Sequence, residues 1–314
     1  MTESFPRQDA RTRHFTLGVP RAFRVSPDGK TVVYLRTKSG ADPVTCLWAL
    51  DVGSGQERLV ADPGALGASE EDLPPEERAR RERVREQAGG IVAYATDEAV
   101  TVAAFALSGR VYAVPLTAGG GPPGEVATHT PALDPRPDPT GRRLAYVCGG
   151  ALRVTGLAAD AAAAADQVIA DPAGQAGVTF GLPEFIASEE MGRYRGYWWS
   201  PDGSTLLVAR VDETPVNRWH IADPAHPDRV PAEVAYPAAG TPNAGVSLLL
   251  ARLDGTSVAV DTDGDAFPYL VTARWQDGHD PLVVVQSRDQ RRMRILEVEP
   301  GSGQTRVLLE DADP

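Results

Sequence analysis

The chain has 314 residues, of which 42% are apolar and 24% charged, as expected of a globular protein large enough to bury a core. Its formal net charge of −12 argues against nucleic acid and anionic membranes as partners, because both bind basic surfaces. Two cysteines far apart and five scattered histidines form neither a disulfide framework nor a metal-ligand pattern, so we expect no metal and no cofactor.

Residues 1–23 precede the first repeated strand, and we predict that they form a separate amino-terminal segment. They lack the apolar stretch of a secretory signal. No apolar run in the chain approaches the ~18 residues that a membrane-spanning helix requires. We therefore expect a cytoplasmic protein without a membrane partner.

From residue 24 onward, the chain repeats a turn rich in Pro, Asp and Gly that is followed by an alternating strand. Turns of this kind begin at Ser26, Asp138, Ser200 and Trp275. Asp can hydrogen-bond to its own backbone and Gly tolerates a positive φ, so each repeat predicts a β-hairpin.

A second kind of turn, Gly-Ser-Gly-Gln, joins further strands at Gly53–Gln56 and again at Gly301–Gln304. Intermediate strands are expected within Ile91–Leu116 and Val246–Asp261. Repeated units of about 40 or more residues, each with several strands, are typical of β-propellers. We therefore predict an all-β fold with one β-propeller domain over residues 24–314, interrupted by two insertions.

The first insertion, Glu70–Gln87, is rich in glutamate and arginine and predicts a short Arg-rich helix. Prolines precede it, glutamates occupy its first turn and two glycines follow it. It has almost no apolar face, so we do not expect it in the core. Its charges can pair along a solvated helix, as Glu77 can with Arg81. Alternatively, one arginine turns inward and binds a peptide carbonyl or carboxylate.

The second insertion sets two carboxylates, Glu189 and Glu190, shortly before the aromatic run Tyr197–Trp199. Two carboxylates suit a small cation such as the free amino end of a peptide. Neighbours on a regular helix diverge by about 100°, so these two converge only in an irregular turn or around a ligand between them. The alternative is a solvated acidic turn paired with Arg193 or Arg195. At least one ring of the aromatic run should lie in the core.

On these segments the chain resembles the N-terminal β-propeller region of the dipeptidyl peptidase IV family, within the prolyl oligopeptidase group of serine peptidases, and especially its cytosolic and bacterial branch. The segment Glu76–Ile91 is similar to the family's arginine segment, and Pro183–Gly203 is similar to its double-glutamate motif. The other similar stretches are Val211–Glu213, Tyr236–Asn243 and Gln286–Gln290.

The resemblance implies that Glu189 and Glu190 capture the free amino terminus of a peptide. It also implies that an arginine among Arg81, Arg83 and Arg85 binds the carbonyl of the first peptide residue. Holding the amine at a fixed distance orients the peptide so that two residues fit before the scissile bond. Enzymes of this family release N-terminal dipeptides with proline, or less readily alanine, in the second position.

The resemblance further implies that the Ser, Asp and His of the catalytic triad lie on a C-terminal α/β-hydrolase domain of the same protein. The chain contains no Gly-x-Ser-x-Gly motif, so we expect no catalytic residue in it and no activity of the chain alone. We count about five or six of the family's eight blades and therefore expect an amino-terminal fragment, with a homodimer possible at full length. The alternative function is a non-catalytic β-propeller module that binds proteins or peptides, in which Glu189 and Glu190 form only a surface turn.

Overall fold

The computed structural model describes residues 3–67, 77–78, 81, 89–117, 119–157 and 165–313. Two compact units divide the chain. The first comprises residues 1–149 with 153–167, and the second comprises residues 150–152 with 168–314. In the described part, no helix is both long enough and apolar enough to span a bilayer.

The first unit begins with the helix α1 (Phe5–Arg11) and continues as antiparallel sheets. The strands of sheet one follow in chain order as β1 (Arg21–Val25), β2 (Thr31–Thr37), β3 (Val44–Asp51) and β4 (Glu57–Ala61), and β5 (Gly89–Gly90) pairs with β3 in parallel. A short 3₁₀ turn, Pro63–Leu66, follows β4. Sheet two contains β6 (Ala95–Thr96), β7 (Val102–Leu107), β8 (Arg110–Pro115) and β9 (Gly124–Val126).

Sheet three, most of whose residues belong to the first unit, is also a four-stranded meander. Its strands are β10 (Leu133–Pro137), β11 (Arg143–Cys148), β12 (Ala151–Gly156) and β13 (Gln167–Ala170).

The second unit contains two further sheets, a ribbon and a short helix. In chain order, the elements of sheet four and of the ribbon inserted into it are β14 (Val178–Phe180), the helix α2 (Phe185–Glu190), β15 (Tyr197–Trp199), β16 (Thr205–Asp212), the ribbon strands β17 (Arg218–Ile221) and β18 (Ala232–Ala235), β19 (Gly245–Arg252) and β20 (Ser257–Val260). Sheet four is ordered β14-β16-β19-β20, with β15 also paired to β16. Sheet five contains β21 (Tyr269–Arg274), β22 (Leu282–Gln286), β23 (Arg292–Val298) and β24 (Thr305–Ala312).

One turn structure explains why the repeated Ser-Pro-Asp-Gly sequences lead into strands. At the first of them, Ser26 Oγ accepts a hydrogen bond from Thr31 N at 2.9 Å and donates one to Asp28 Oδ1 at 2.7 Å. The side chain therefore closes the turn that joins β1 to β2. The same contacts recur at Ser200 with Asp202 and Thr205, and at Ser287 with Asp289 and Arg292.

Each unit has its own apolar core, formed by alternate residues of neighbouring sheets. In the first unit, Leu35, Leu47 and Phe105 are among the fully buried side chains that sheets one and two contribute. In the second unit, Leu207 and Leu250 of sheet four pack with residues of sheet five. The prediction for the aromatic run is confirmed, because Tyr197, Trp198 and Trp199 are all buried.

The all-β prediction is confirmed, as are the strands expected around the Gly-Ser-Gly-Gln turns. The division into residues 1–23 and 24–314 and the number of blades stay predictions. Of the predicted Arg-rich helix, only Glu77, Arg78 and Arg81 lie within the described residues, and these three are helical.

Candidate functional site

Glu189 and Glu190 are the last two residues of the six-residue helix α2 in the second unit. Glu184 is the N-cap residue that precedes the helix, and its Oε1 accepts a hydrogen bond from Ala187 N at 3.1 Å, which caps the first turn. Both terminal glutamates are exposed. Within the described residues, neither carboxylate forms a hydrogen bond or an ion pair with another side chain.

The helix conformation decides how the two carboxylates are arranged. The sequence left open whether they lie in an irregular turn or flank a ligand. In the structure they are consecutive residues of a helix, so their side chains diverge by about 100°. A small cation can therefore bind both carboxylates only from a position between their tips.

A buried ion pair fixes the start of this helix. Arg193 Nη2 lies 2.7 Å from Glu184 Oε2, and the two side chains are only 2% and 5% exposed, respectively. Arg193 also donates to the carbonyl of Leu270 in β21 at 3.1 Å and to the carbonyl of Arg195 at 2.8 Å. Burial lowers the pKa of the Arg193 guanidinium, and the charge of Glu184 opposes that shift.

The expected partners of Arg193 and Arg195 differ from those in the structure. The sequence offered a solvated turn in which either arginine pairs with Glu189 or Glu190. Instead, Arg193 binds Glu184, and Arg195 donates to the carbonyl of Tyr197 at 2.7 Å. The physical reason is that Arg193 can donate to three acceptors at once, the Glu184 carboxylate and two backbone carbonyls. Pairing with one solvated glutamate would not satisfy as many of its donors.

An aromatic cluster lies beside the first residue of the helix. The ring of Phe185 meets that of Tyr236 edge to face at 5.2 Å between centroids. The Tyr236 ring in turn lies 4.8 Å from that of Trp219 in the ribbon. Trp219 is about half exposed, so the cluster forms a partly apolar surface next to α2.

The predicted pair between Glu77 and Arg81 is confirmed, but its environment differs from the expected solvated one. Arg81 Nε lies 2.9 Å from Glu77 Oε1, and the two side chains are 8% and 11% exposed. Arg81 Nη2 also donates to the carbonyl of Gly90 at 3.3 Å. These residues belong to the first unit, whereas both glutamates of α2 belong to the second. Arg83 and Arg85 lie outside the described residues.

Comparison with a solved structure defines the fold class. The chain is similar over its full length to the crystal structure of Porphyromonas gingivalis dipeptidyl peptidase 4, with a TM-score of 0.70, 17% sequence identity and coverage of 42% of that chain. An identity this low supports the fold alone. Together with the antiparallel sheets, this likeness confirms the predicted fold class, an all-β β-propeller, while the number of blades stays a prediction.

The sequence comparisons show the family. The family model for the dipeptidyl peptidase IV N-terminal region matches residues 109–314, more than half of the chain. The chain therefore belongs to the dipeptidyl peptidase IV N-terminal region family.

Two of the proteins that the chain resembles in sequence are a dipeptidyl peptidase and a probable dipeptidyl-aminopeptidase. It is 24% identical over 148 residues to dipeptidyl peptidase 8 of Homo sapiens, a match that covers 38% of this chain and 16% of that protein. It is 31% identical over 137 residues to a probable dipeptidyl-aminopeptidase B of Grosmannia clavigera, with coverage of 38% and 14%. The chain thus spans less than half the length of these relatives.

The sequence did not single out the residues that hold the double-glutamate helix in place. Glu184 precedes a short helix, and this is the only local signal that could have marked it as a cap. Arg193 follows nine residues later, and one of its acceptors lies 77 residues further along the chain. No short-range pattern indicates a contact of that separation.

Proposed function

We propose that this chain is the substrate-recognition propeller of a serine dipeptidyl aminopeptidase that releases N-terminal X-Pro and X-Ala dipeptides. Glu189 and Glu190 bind the amino terminus of the peptide in this proposal. Membership of the family supports it. The observation that carries it is the pair of exposed carboxylates at the end of α2, which, in the described part of the chain, have no partner of their own.

The chemistry of the pair suits an ammonium group. A peptide amino terminus has three N–H donors, and each charge-assisted hydrogen bond to a carboxylate contributes about 1.5–3 kcal/mol. Because the two side chains diverge, the nitrogen lies between them and leaves its third donor for another acceptor. The carbonyl end of a helix also carries partial negative charge, and both glutamates lie at that end of α2. Cations are therefore favoured here.

An arginine of the group Arg81, Arg83 and Arg85 binds the carbonyl of the first peptide residue in the same proposal. Arg81 Nε and Nη2 already contact Glu77 and Gly90. A substitution of Arg81 should therefore change the stability of its segment as well as any binding. With the amine and this carbonyl both held, the scissile bond is placed two residues from the amino terminus.

The bond-breaking chemistry is proposed to belong to a C-terminal α/β-hydrolase domain of the same protein. No catalytic residue is assigned to this chain, which supplies binding and orientation. A cytoplasmic location and a homodimer of the complete protein belong to the same proposal, and they rest on the family resemblance.

The test uses the complete protein that contains this chain and a chromogenic Ala-Pro amide, with the N-acetylated amide for comparison. Glu189→Gln and Glu190→Gln should each lower kcat/KM for the free-amine substrate by about 10- to 150-fold, the loss of a charge-assisted bond of 1.5–3 kcal/mol. The same variants should leave hydrolysis of the acetylated substrate unchanged, since that substrate carries no ammonium. Glu233→Gln in the ribbon is the matched control and should not alter either rate.

Two results would contradict the proposal. If both variants hydrolyse the free-amine substrate within threefold of the wild type, the carboxylates do not bind the amine. If the complete protein hydrolyses no free-amine X-Pro or X-Ala substrate, the non-catalytic peptide-binding module is the correct function.

A further inference from the structure

We propose that Glu184 and Arg193 are positioning residues: their buried ion pair sets where Glu189 and Glu190 lie, and thereby the affinity of the site for a peptide amine. This inference rests on the proposed function. We call Glu184 and Arg193, together with their hydrogen bonds to the backbone of Ala187, Arg195 and Leu270, the α2 brace.

The helix needs such a brace because it is short. Six residues are too few for an isolated helix to be stable in water, so tertiary contacts must hold it. Glu184 Oε1 accepts from Ala187 N, and Arg193 N donates to Ala187 O at 2.9 Å. The two brace residues therefore contact the same fully buried residue of α2, one from before the helix and one from after it.

The guanidinium of Arg193 ties this helix to the rest of the second unit. Its Nη2 binds Glu184, its Nη1 binds the carbonyl of Arg195, and its Nε binds the carbonyl of Leu270 in β21. A planar fork with fixed donor directions places these three acceptors relative to one another. The start of α2 is thus positioned against a strand of sheet five.

The energetics favour a geometric role for the pair over a purely stabilising one. Burying two charges is costly, and apolar side chains of similar volume often stabilise a fold at least as well. The ion pair instead supplies directional bonds close to the two exposed carboxylates, which lie three to six residues away in sequence. In the described part of the chain, those carboxylates have no side-chain hydrogen bond or ion pair of their own to fix their positions. Charge-assisted bonds require separations of about 2.7–2.9 Å, so a small displacement of α2 weakens both at once.

The decisive variant is Arg193→Lys in the complete protein, because lysine keeps the charge but cannot bind all three acceptors in the same directions. A misplacement of about 1 Å can cost as much as hundredfold in rate. We expect kcat/KM for the free-amine Ala-Pro amide to fall about 10- to 100-fold, with no change for the N-acetylated amide. Arg153→Lys is the matched control, because Arg153 forms a half-buried ion pair with Asp166 in the first unit. It should leave both rates unchanged.

A double-variant comparison separates positioning from stability. If the brace acts through the two carboxylates, Arg193→Lys should cost less than about twofold in a protein that already carries Glu189→Gln and Glu190→Gln, because coupled residues are not additive. A role confined to stability predicts the same loss in both backgrounds and would overturn the inference. Glu184→Gln keeps the capping oxygen, and it replaces Arg193→Lys if that variant does not fold.

The outcomes also distinguish this inference from the proposed function. If the double glutamine variant keeps its preference for the free amine, the proposed function fails and the brace has no site to position. If that variant loses the preference while Arg193→Lys and Glu184→Gln retain it, only the brace inference fails.

Discussion

Replacing Gly196 with alanine should destabilise the second unit through a backbone clash. A Cβ at this position would lie 2.5 Å from the carbonyl carbon of Gly181 and 2.6 Å from the backbone of Leu182. Neither segment can move aside freely, because both are bonded to Ala209 in β16. Gly181 N donates to the Ala209 carbonyl at 2.9 Å, and Ala209 N donates to the Gly196 carbonyl at 2.8 Å.

The expected magnitude follows from that geometry. Ordinary van der Waals contact begins at 3.4 Å, so the backbone at Gly181 and the backbone at Gly196 must move about 1 Å apart to accept the added Cβ. Both are hydrogen-bonded to Ala209, which resists that movement. Overpacking of this kind costs about 1–3 kcal/mol, and rigid backbone on both sides places Gly196→Ala at about 2–3 kcal/mol within that range. For a unit of this size, each kcal/mol lowers the Tm by about 2–4 °C. We expect a decrease of about 4–12 °C.

Thermal unfolding followed by tryptophan fluorescence is a suitable assay, because Trp198 and Trp199 are buried close by in sequence. Gly264→Ala is the control, because no atom lies within 4 Å of its added Cβ and its φ is not positive. That variant should stay within about 0.5 kcal/mol of the wild type. If Gly196→Ala unfolds at the same temperature as Gly264→Ala, the clash argument is refuted.

Two further predictions concern the first unit. Arg81→Met removes the buried cation that faces Glu77, and it should lower the free energy of unfolding in urea by about 3–5 kcal/mol. The double variant with Glu77→Leu should recover part of this loss. A larger loss in the double variant than in Arg81→Met would contradict a buried ion pair. Burial raises the pKa of the Cys46 thiol to about 11 from 9.0. At pH 8, a thiol reagent should therefore modify Cys148 in the folded protein but modify Cys46 only after unfolding. Equal rates of modification of the two cysteines in the folded protein would be inconsistent with this burial. Because the folded thiol holds its proton more tightly, its contribution to stability should be constant below about pH 9 and decline as the pH rises towards 11.

The strands could be predicted because their signals are local. At Ser26 and Ser200, the turn is closed by a side chain that bonds to the backbone five residues later, so the residues that form the turn lie together in the sequence. The turn at Ser287 follows the same rule without proline or glycine. There Gln290 adopts the positive φ of 60° that glycine provides in the other two.

The candidate site could be predicted only in part. Two adjacent glutamates before an aromatic run are visible in the sequence, and so is the spacing of Glu77 and Arg81. The burial of that second pair is not visible, because a run of mixed charges resembles a solvated helix. The carbonyl of Gly90 accepts a hydrogen bond from Arg81. Gly90 lies in β5, whose position is set by its pairing with β3.

The sequence by itself determined the all-β class, the turns and the two carboxylates, since these depend on residues within a few positions of one another. Only the tertiary structure decided that Glu189 and Glu190 end a helix, and that Glu184 and Arg193 hold it. A buried guanidinium binds whichever carbonyls the folded sheets bring within reach. The Leu270 carbonyl reaches Arg193 through packing across 77 residues of chain, which no local pattern specifies.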